Sequence, residues 1–349
     1  MKKLGLLLVC LSVLFTVIGC AQKEGSSTSL ITNNPYKRTE FLMGTVVTVK
    51  IYDEDKEEVL DPVFERIFEL ADRIGVNEEE SEIIDINKNA GIQPVQVSAD
   101  IYRLIEAGKA HSKLANGTFD ISVGPLTTLW NIGFPDARKP EQEEINQVLP
   151  LIDYNQIYLN VEEQTVYLAN QGMELDLGAI AKGFITDEVK DVLLEHDVHS
   201  AIIDLGGNIY VLGKNANGSD WTVGIQDPFS PRGEIVGKIK ESNKSIVTSG
   251  VYERFLEVDG VKYHHILNPI DGYPYNNDVA GVSIITDKSI DGDALSTTLF
   301  SKGIQGGLEY IENIEDAEAI FVSQDKKIYF TSGLKGEFEL TNDQFEVVN

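Results

Sequence analysis

Cysteine is nearly missing from this chain of 349 residues; there are two, Cys10 and Cys20, both close to the N-terminus. No disulfide framework is available to the rest, so its stability has to come from a packed core. Basic side chains are scarce as well. Lys and Arg number 29 against 56 Asp and Glu, a formal net charge of -27, and such a surface excludes nucleic acid as a partner because its phosphates are repelled. The same shortage means that any anionic ligand must be met locally, by a metal ion, a lysine, or backbone N–H groups at helix starts. Acidic clusters such as Glu78 to Glu82 and Glu141 to Glu144 read as solvated surface. A long apolar stretch occurs at Leu4 to Ile18, behind Lys2 and Lys3. It is too short to span a bilayer comfortably and reads as a secretory signal.

That stretch ends in Val17-Ile18-Gly19-Cys20, which resembles the bacterial lipobox. The resemblance implies that Cys20 is acylated and becomes the first mature residue, holding the protein on the extracytoplasmic face of the bacterial cell membrane. Residues 1–19 are then signal peptide. Residues 20–36, with Gly25, Ser26, Ser27, Thr28, Ser29, Asn33, Asn34 and Pro35 and no hydrophobic period, read as a lipidated flexible tether. Residues 37–349 are enough for a single compact catalytic unit.

Periodicity within that unit is mixed. Val47, Val49 and Ile51 alternate with polar residues over Gly44 to Tyr52 and predict a half-buried strand. Val63, Ile67, Leu70 and Ile74, after Asp61-Pro62, follow a helical period. Ser98 predicts the N-cap of a helix carrying Ile101, Leu104, Ile105 and Ala110. Ile157 to Leu159 and Val166 to Leu168 flank a polar turn and read as a hairpin. Ser200 to Asp204 and Ile209 to Leu212 bracket a Gly-Gly turn, and Val279 to Thr286 and Ala319 to Val322 read as further strands. The mixture predicts an α+β fold of mostly antiparallel sheet with packed helices.

Four segments carry chemistry as well as packing. Glu174 to Phe184 reads as a strand turning at Gly178 into a helix that runs to about Leu194; its glycines, helix start and Lys182 suit a phosphate, though a plain strand-turn-helix has the same pattern. Asp204-Leu205-Gly206-Gly207-Asn208 permits close ligand approach or a simple hairpin turn. His264 and His265 precede the turn-forming Asn268-Pro269-Ile270-Asp271-Gly272. In Asp291 to Phe300, a helix starting near Gly292 places Asp293 and Thr297 on one face, where a carboxylate and a hydroxyl suit a hard cation; ordinary capping acids are the alternative.

In order along the chain, these segments resemble the ApbE family of FAD:protein FMN transferases. Phe41-Leu42-Met43-Gly44-Thr45 is similar to the family's opening M-G-T strand, and Ser81-Glu82-Ile83 with Ile86-Asn87 to its S-E and I-N step. Gly117 to Leu126 with Leu129-Trp130, and the motifs opening at Asp176, Asp204, His265 and Asp291, follow in the family's order and cover nearly all of residues 37–349. The resemblance implies a T-fold-like ApbE architecture. It places Met43, Thr118, Phe119, Asp120, Lys182 and Leu267 on FAD, and Asp293, Thr297 and the carbonyl of Ala179 on Mg2+. Ala179 stands where Gly is frequent, Asn268 where Asp is frequent, and Asp271 where Thr is common, and the last two alter the surroundings of His265.

The implied reaction is Mg2+-dependent transfer of the FMN moiety of FAD to a Thr or Ser hydroxyl of an extracytoplasmic acceptor protein, with release of AMP. His265 or Asp293 are the candidates for proton acceptor. Hydrolysis of FAD to FMN and AMP, or lipid-anchored flavin binding without turnover, are the alternatives. The chain shows no convincing D-x-x-[ST]-G-A-[ST] target motif of its own, so the acceptor is expected to be a separate protein.

Overall fold

The computed structural model describes residues 30–75 and 80–348, so the signal segment, Cys20 and most of the expected tether lie outside the described residues. One nine-stranded sheet organises the rest, and its spatial order follows the chain: Ile31–Leu42, Thr45–Asp53, Ala201–Leu205, Asn208–Leu212, Lys244–Gly250, Val279–Thr286, Glu318–Ser323, Lys327–Phe330 and Glu346–Val347. Neighbours pair antiparallel except for the final pair, which is parallel. The expected α+β class with mostly antiparallel sheet is therefore what the chain adopts.

Two excursions from the sheet supply the helices. Between the second and third strands come α1 (Leu60–Ile74), α2 (Glu82–Lys88), α3 (Ala99–Leu114), α4 (Gly124–Trp130), α5 (Gln142–Val148) and α6 (Ala181–Glu195), with a small sheet of Val95–Gln96, Ile157–Asn160 and Thr165–Leu168. The second excursion is α7 (Ser289–Ile311). The helical period of α1 buries Val63, Phe64, Ile67 and Leu70 against Val47, Val49 and Ile51 of the sheet and against α6. Each such side chain contributes about 1.5–3 kcal/mol on leaving water. The opposite sheet face is covered by a second small sheet of Trp221–Gln226, Ile235–Glu241 and Glu339–Leu340, which packs on Val211, Ile246, Ile285 and Ile320. Val279–Thr286 is buried at every residue because both of its faces are covered there.

Three expected boundaries move. The tether was expected to reach Tyr36, but the first strand begins at Ile31 and pairs with Thr45–Asp53 from Ile31↔Asp53, with a register irregularity before Tyr36↔Ile51. Asn33, Asn34 and Pro35 fall in that irregularity, and an edge strand that is half-exposed shows little alternation and tolerates Pro. Glu174 to Leu177 is not a ladder strand; Glu174 makes one parallel bridge to Val123, and Asp176 accepts from Gly178 N at 2.8 Å in a turn before α6. Finally, α7 starts at Ser289 and not near Gly292, because its cap comes from a distant residue, Asp187.

Candidate active site

The N-terminal ends of α6 and α7 meet, and Gly183 permits it. A Cβ at Gly183 would stand 2.4 Å from the Ser289 carbonyl oxygen and 2.7 Å from Ile290 Cα. At this distance each helix serves the free N–H groups at the other's first turn. Asp187 of α6 accepts from Ser289 N and Ile290 N, both at 3.0 Å, and Asp293 of α7 accepts from Gly183 N at 2.8 Å. Burial raises the carboxyl pKa of Asp187, against the lowering effect of those two N–H groups and Lys190. Asp293 is 2% exposed, and Lys182 Nζ lies 3.3 Å from its Oδ1.

The diverted Gly183 N–H has a second consequence. In a regular helix it would donate to the carbonyl four residues back, that of Ala179; here that carbonyl receives no backbone hydrogen bond among the described residues. Thr297 stands one turn beyond Asp293 on the half-buried side of α7, and its hydroxyl has no partner among the described residues. A carboxylate, a free carbonyl and a free hydroxyl are the oxygen donors that a hard divalent ion takes. The three expected ligands thus fit a cation by the chemistry of their donors, and the ammonium on Asp293 shows that the carboxylate is met by positive charge.

The adjacent histidines differ. His264 is buried with both ring nitrogens committed: Nε2 donates to the Tyr275 carbonyl at 2.8 Å, and Nδ1 accepts from Ile266 N at 3.2 Å. Burial lowers its pKa. His265 is half-buried; its Nδ1 donates to the Arg254 carbonyl at 3.2 Å, and its Nε2, an acceptor in that tautomer, has no partner among the described residues. Desolvation first, helped by His264, Arg254 and Lys182 and opposed by the bond to the Arg254 carbonyl, pushes the His265 imidazole down to about 4. Lys182, the partner of Asp293, is thus among the charges that act on His265.

The remaining expected residues divide. Met43 occupies the turn between the first two strands with φ 52, followed by Gly44 at φ 70. Two successive positive φ values define the tight hairpin turn that twisted strands favour. Thr118 is tied to Tyr275, whose hydroxyl donates to the Thr118 carbonyl at 3.0 Å. Phe119 packs its ring 6.5 Å from that of His111, and His111 Nε2 lies 3.0 Å from Asp291 Oδ1 at the start of α7, so this loop borders the same corner. Asp120 is different: its carboxylate accepts from Ser122 N, Ser122 Oγ and Tyr154 N, and burial raises its pKa. It holds the loop. Leu267 is buried with Leu126, Trp130, Ile132 and Ile145 and serves as packing under the His265 segment.

Sequence reasoning missed the positioning groups behind the corner. Asn208 Oδ1 accepts from Thr186 Oγ1 at 3.0 Å and Ser289 Oγ at 2.6 Å, and Ser245 Oγ donates to Ser289 Oγ at 2.8 Å, which links both helices to the sheet. The Asn of the Gly-Gly-Asn turn was the available signal. Asp187 had none, since its partners are 102 and 103 residues away.

The chain is 38% identical over 317 residues to the FAD:protein FMN transferase of Klebsiella pneumoniae, covering 91% of this chain and 98% of that one. It is 34% identical over 327 residues to the FAD:protein FMN transferase of Treponema pallidum, covering 89% and 90%. The crystal structure of the ApbE protein from Thermotoga maritima superposes with a TM-score of 0.80 at 29% identity, covering 87% of this chain and 99% of that one. The ApbE family pattern matches residues 43–321, a span that runs from the Met43 turn through the Asp293 corner, and by that match the chain belongs to the ApbE family.

Proposed function

We propose that the chain transfers the FMN moiety of FAD to a Thr or Ser hydroxyl of an extracytoplasmic acceptor protein and releases AMP. The observation that carries this reading is the meeting of α6 and α7, which brings Lys182 Nζ to 3.3 Å and Gly183 N to 2.8 Å from the Asp293 carboxylate, in a chain whose relatives are named FAD:protein FMN transferases; Asp293, Thr297 and the Ala179 carbonyl are the oxygens we assign to a cation there. Mg2+ held by those three oxygens would supply positive charge to the pyrophosphate of FAD. Lys182 adds a second charge at the same corner. The acceptor oxygen attacks the phosphorus of the FMN half, the bond from that phosphorus to the bridging oxygen breaks, and the bridging oxygen leaves with AMP. The hydroxyl proton passes to the free Nε2 of His265, which is neutral at physiological pH. A loose transition state asks little of this base, so charge and positioning do most of the catalysis.

The test is incubation of the full chain with FAD, Mg2+ and an acceptor protein, read by in-gel flavin fluorescence and AMP release. Flavin on the acceptor with one AMP per flavin supports transfer. AMP without labelled acceptor supports hydrolysis instead, and neither product with FAD bound supports a flavin carrier. Cys20 is proposed as the lipid anchor that keeps the reaction on the outer membrane face. Cys20→Ala is expected to abolish lipid labelling, and labelling equal to wild type would refute the anchor.

A further inference from the structure

Of the seven arginines in the chain, six close an ion pair with a carboxylate. Arg254 is exposed and closes none among the described residues, although acidic side chains outnumber basic ones 56 to 29. Its position is defined nonetheless. The stem crosses Gly133, where a Cβ would lie 2.9 Å from Arg254 Cδ, and the guanidinium reaches Gly44, where a Cβ would lie 3.2 Å from Nη2. Both glycines have positive φ, 100 and 70, and both leave the space the arginine fills. The Arg254 carbonyl meanwhile accepts from both the backbone N and Nδ1 of His265, each at 3.2 Å. The side chain thus stands between the Met43-Gly44 turn and the His265 segment.

An unpaired guanidinium in so acidic a molecule is a group kept for an anion from outside. Its planar fork suits phosphate, which it can hold through two parallel hydrogen bonds. The pyrophosphate of FAD carries two charges, and Lys182 is already engaged by Asp293 at 3.3 Å. We propose that Arg254 binds the pyrophosphate of FAD, closing on it from the side of the Met43-Gly44 turn. This assignment rests on the functional reading above and adds to it a positioning residue for the substrate.

Fluorescence titration of the detergent-solubilised full chain with FAD, and with riboflavin as the flavin half without phosphate, tests it. Arg254→Gln is expected to weaken FAD roughly 10- to 100-fold, the range of a hydrogen bond to a charged group, while riboflavin affinity stays within about twofold and Arg254→Lys recovers part of the loss. Equal weakening of FAD and riboflavin in both variants would mean a distorted pocket and overturn the proposal. Unchanged FAD affinity overturns it too, including the case in which only the KM for acceptor rises and Arg254 meets a carboxylate of the acceptor. Wild-type chain that binds no FAD would overturn the functional reading and this assignment with it.

Discussion

Two adjacent histidines show how much a residue's role depends on which nitrogen is free. His264 spends both on Tyr275 and Ile266, whereas His265 keeps Nε2 open and has its pKa pushed to about 4. An NMR titration of the protein without ligand is expected to show the His265 imidazole protonating near pH 4 and not near the ordinary 6.5. Because the folded pKa is the lower one, the unfolded chain binds the extra proton first. Stability from this site is then complete above about pH 6.5 and falls as pH drops toward about 4. His265→Asn should show a shallower loss of melting temperature over that window; a slope identical to wild type would remove His265 as the source.

Asp293 has a structural task and a proposed catalytic one, and a single substitution can separate them. It is buried and accepts the Gly183 N–H, so Asp293→Ala leaves that donor unsatisfied at a cost of about 1–3 kcal/mol. Asp293→Asn keeps an acceptor oxygen and removes the charge. We expect it to melt closer to wild type than the Ala variant and to lose transfer about a hundredfold or more, as when a main electrostatic stabiliser is removed. Wild-type turnover in Asp293→Asn would show that the charge is not used.

At the scale of elements, the α6–α7 contact is the device that assembles the corner, and Gly183 is its weakest point. The atoms that a Cβ would meet are backbone, Ser289 O at 2.4 Å and Ile290 Cα at 2.7 Å, so no side chain can rotate away. The helices must separate. Overpacking of this kind costs about 1–3 kcal/mol, and separation also breaks the bonds of Asp187 and Asp293 across the contact. Gly183→Ala is therefore expected to lower melting temperature and transfer together, whereas Gly306→Ala, within α7 and where a Cβ meets only Lys302 Cβ at 3.4 Å, serves as the control and should keep both. Full activity in Gly183→Ala would mean that the close approach is not needed.

The same contact marks the limit of what the residues announce. Elements with a covered face were legible: α1 from its apolar period and the hairpins from their turns, and the helix that carries Asp293 and Thr297 is there. The start of α7 was not, because its cap is supplied across 102 residues and Lys288 at the N-cap position makes no side-chain bond. The edge strand Ile31–Leu42 was hidden because backbone pairing, and not an alternating buried face, holds it. Arg254 carried no pattern, since lack of an ion partner is a property of the folded surroundings.

For the whole molecule the governing number is the net charge of -27. Cations within the corner act over a few ångströms, but an approaching ligand first meets the summed field, which extends over a Debye length of about 8 Å at physiological ionic strength and about 30 Å at 0.01 M. FAD is anionic, so its diffusional encounter with this chain is opposed at long range even if binding, once made, is supported by the proposed cation and Arg254 contacts. Raising salt screens the repulsion more than it weakens contacts already formed in a half-buried site. We therefore expect the association rate of FAD, measured by stopped-flow fluorescence, to rise severalfold between about 0.01 M and 0.15 M salt. Riboflavin, being uncharged, should show almost no change. The sign is what matters. A rate for FAD that falls with salt would mean that the local basic groups dominate the field at the mouth of the site, and that the acidic surface is turned away from the path the substrate takes.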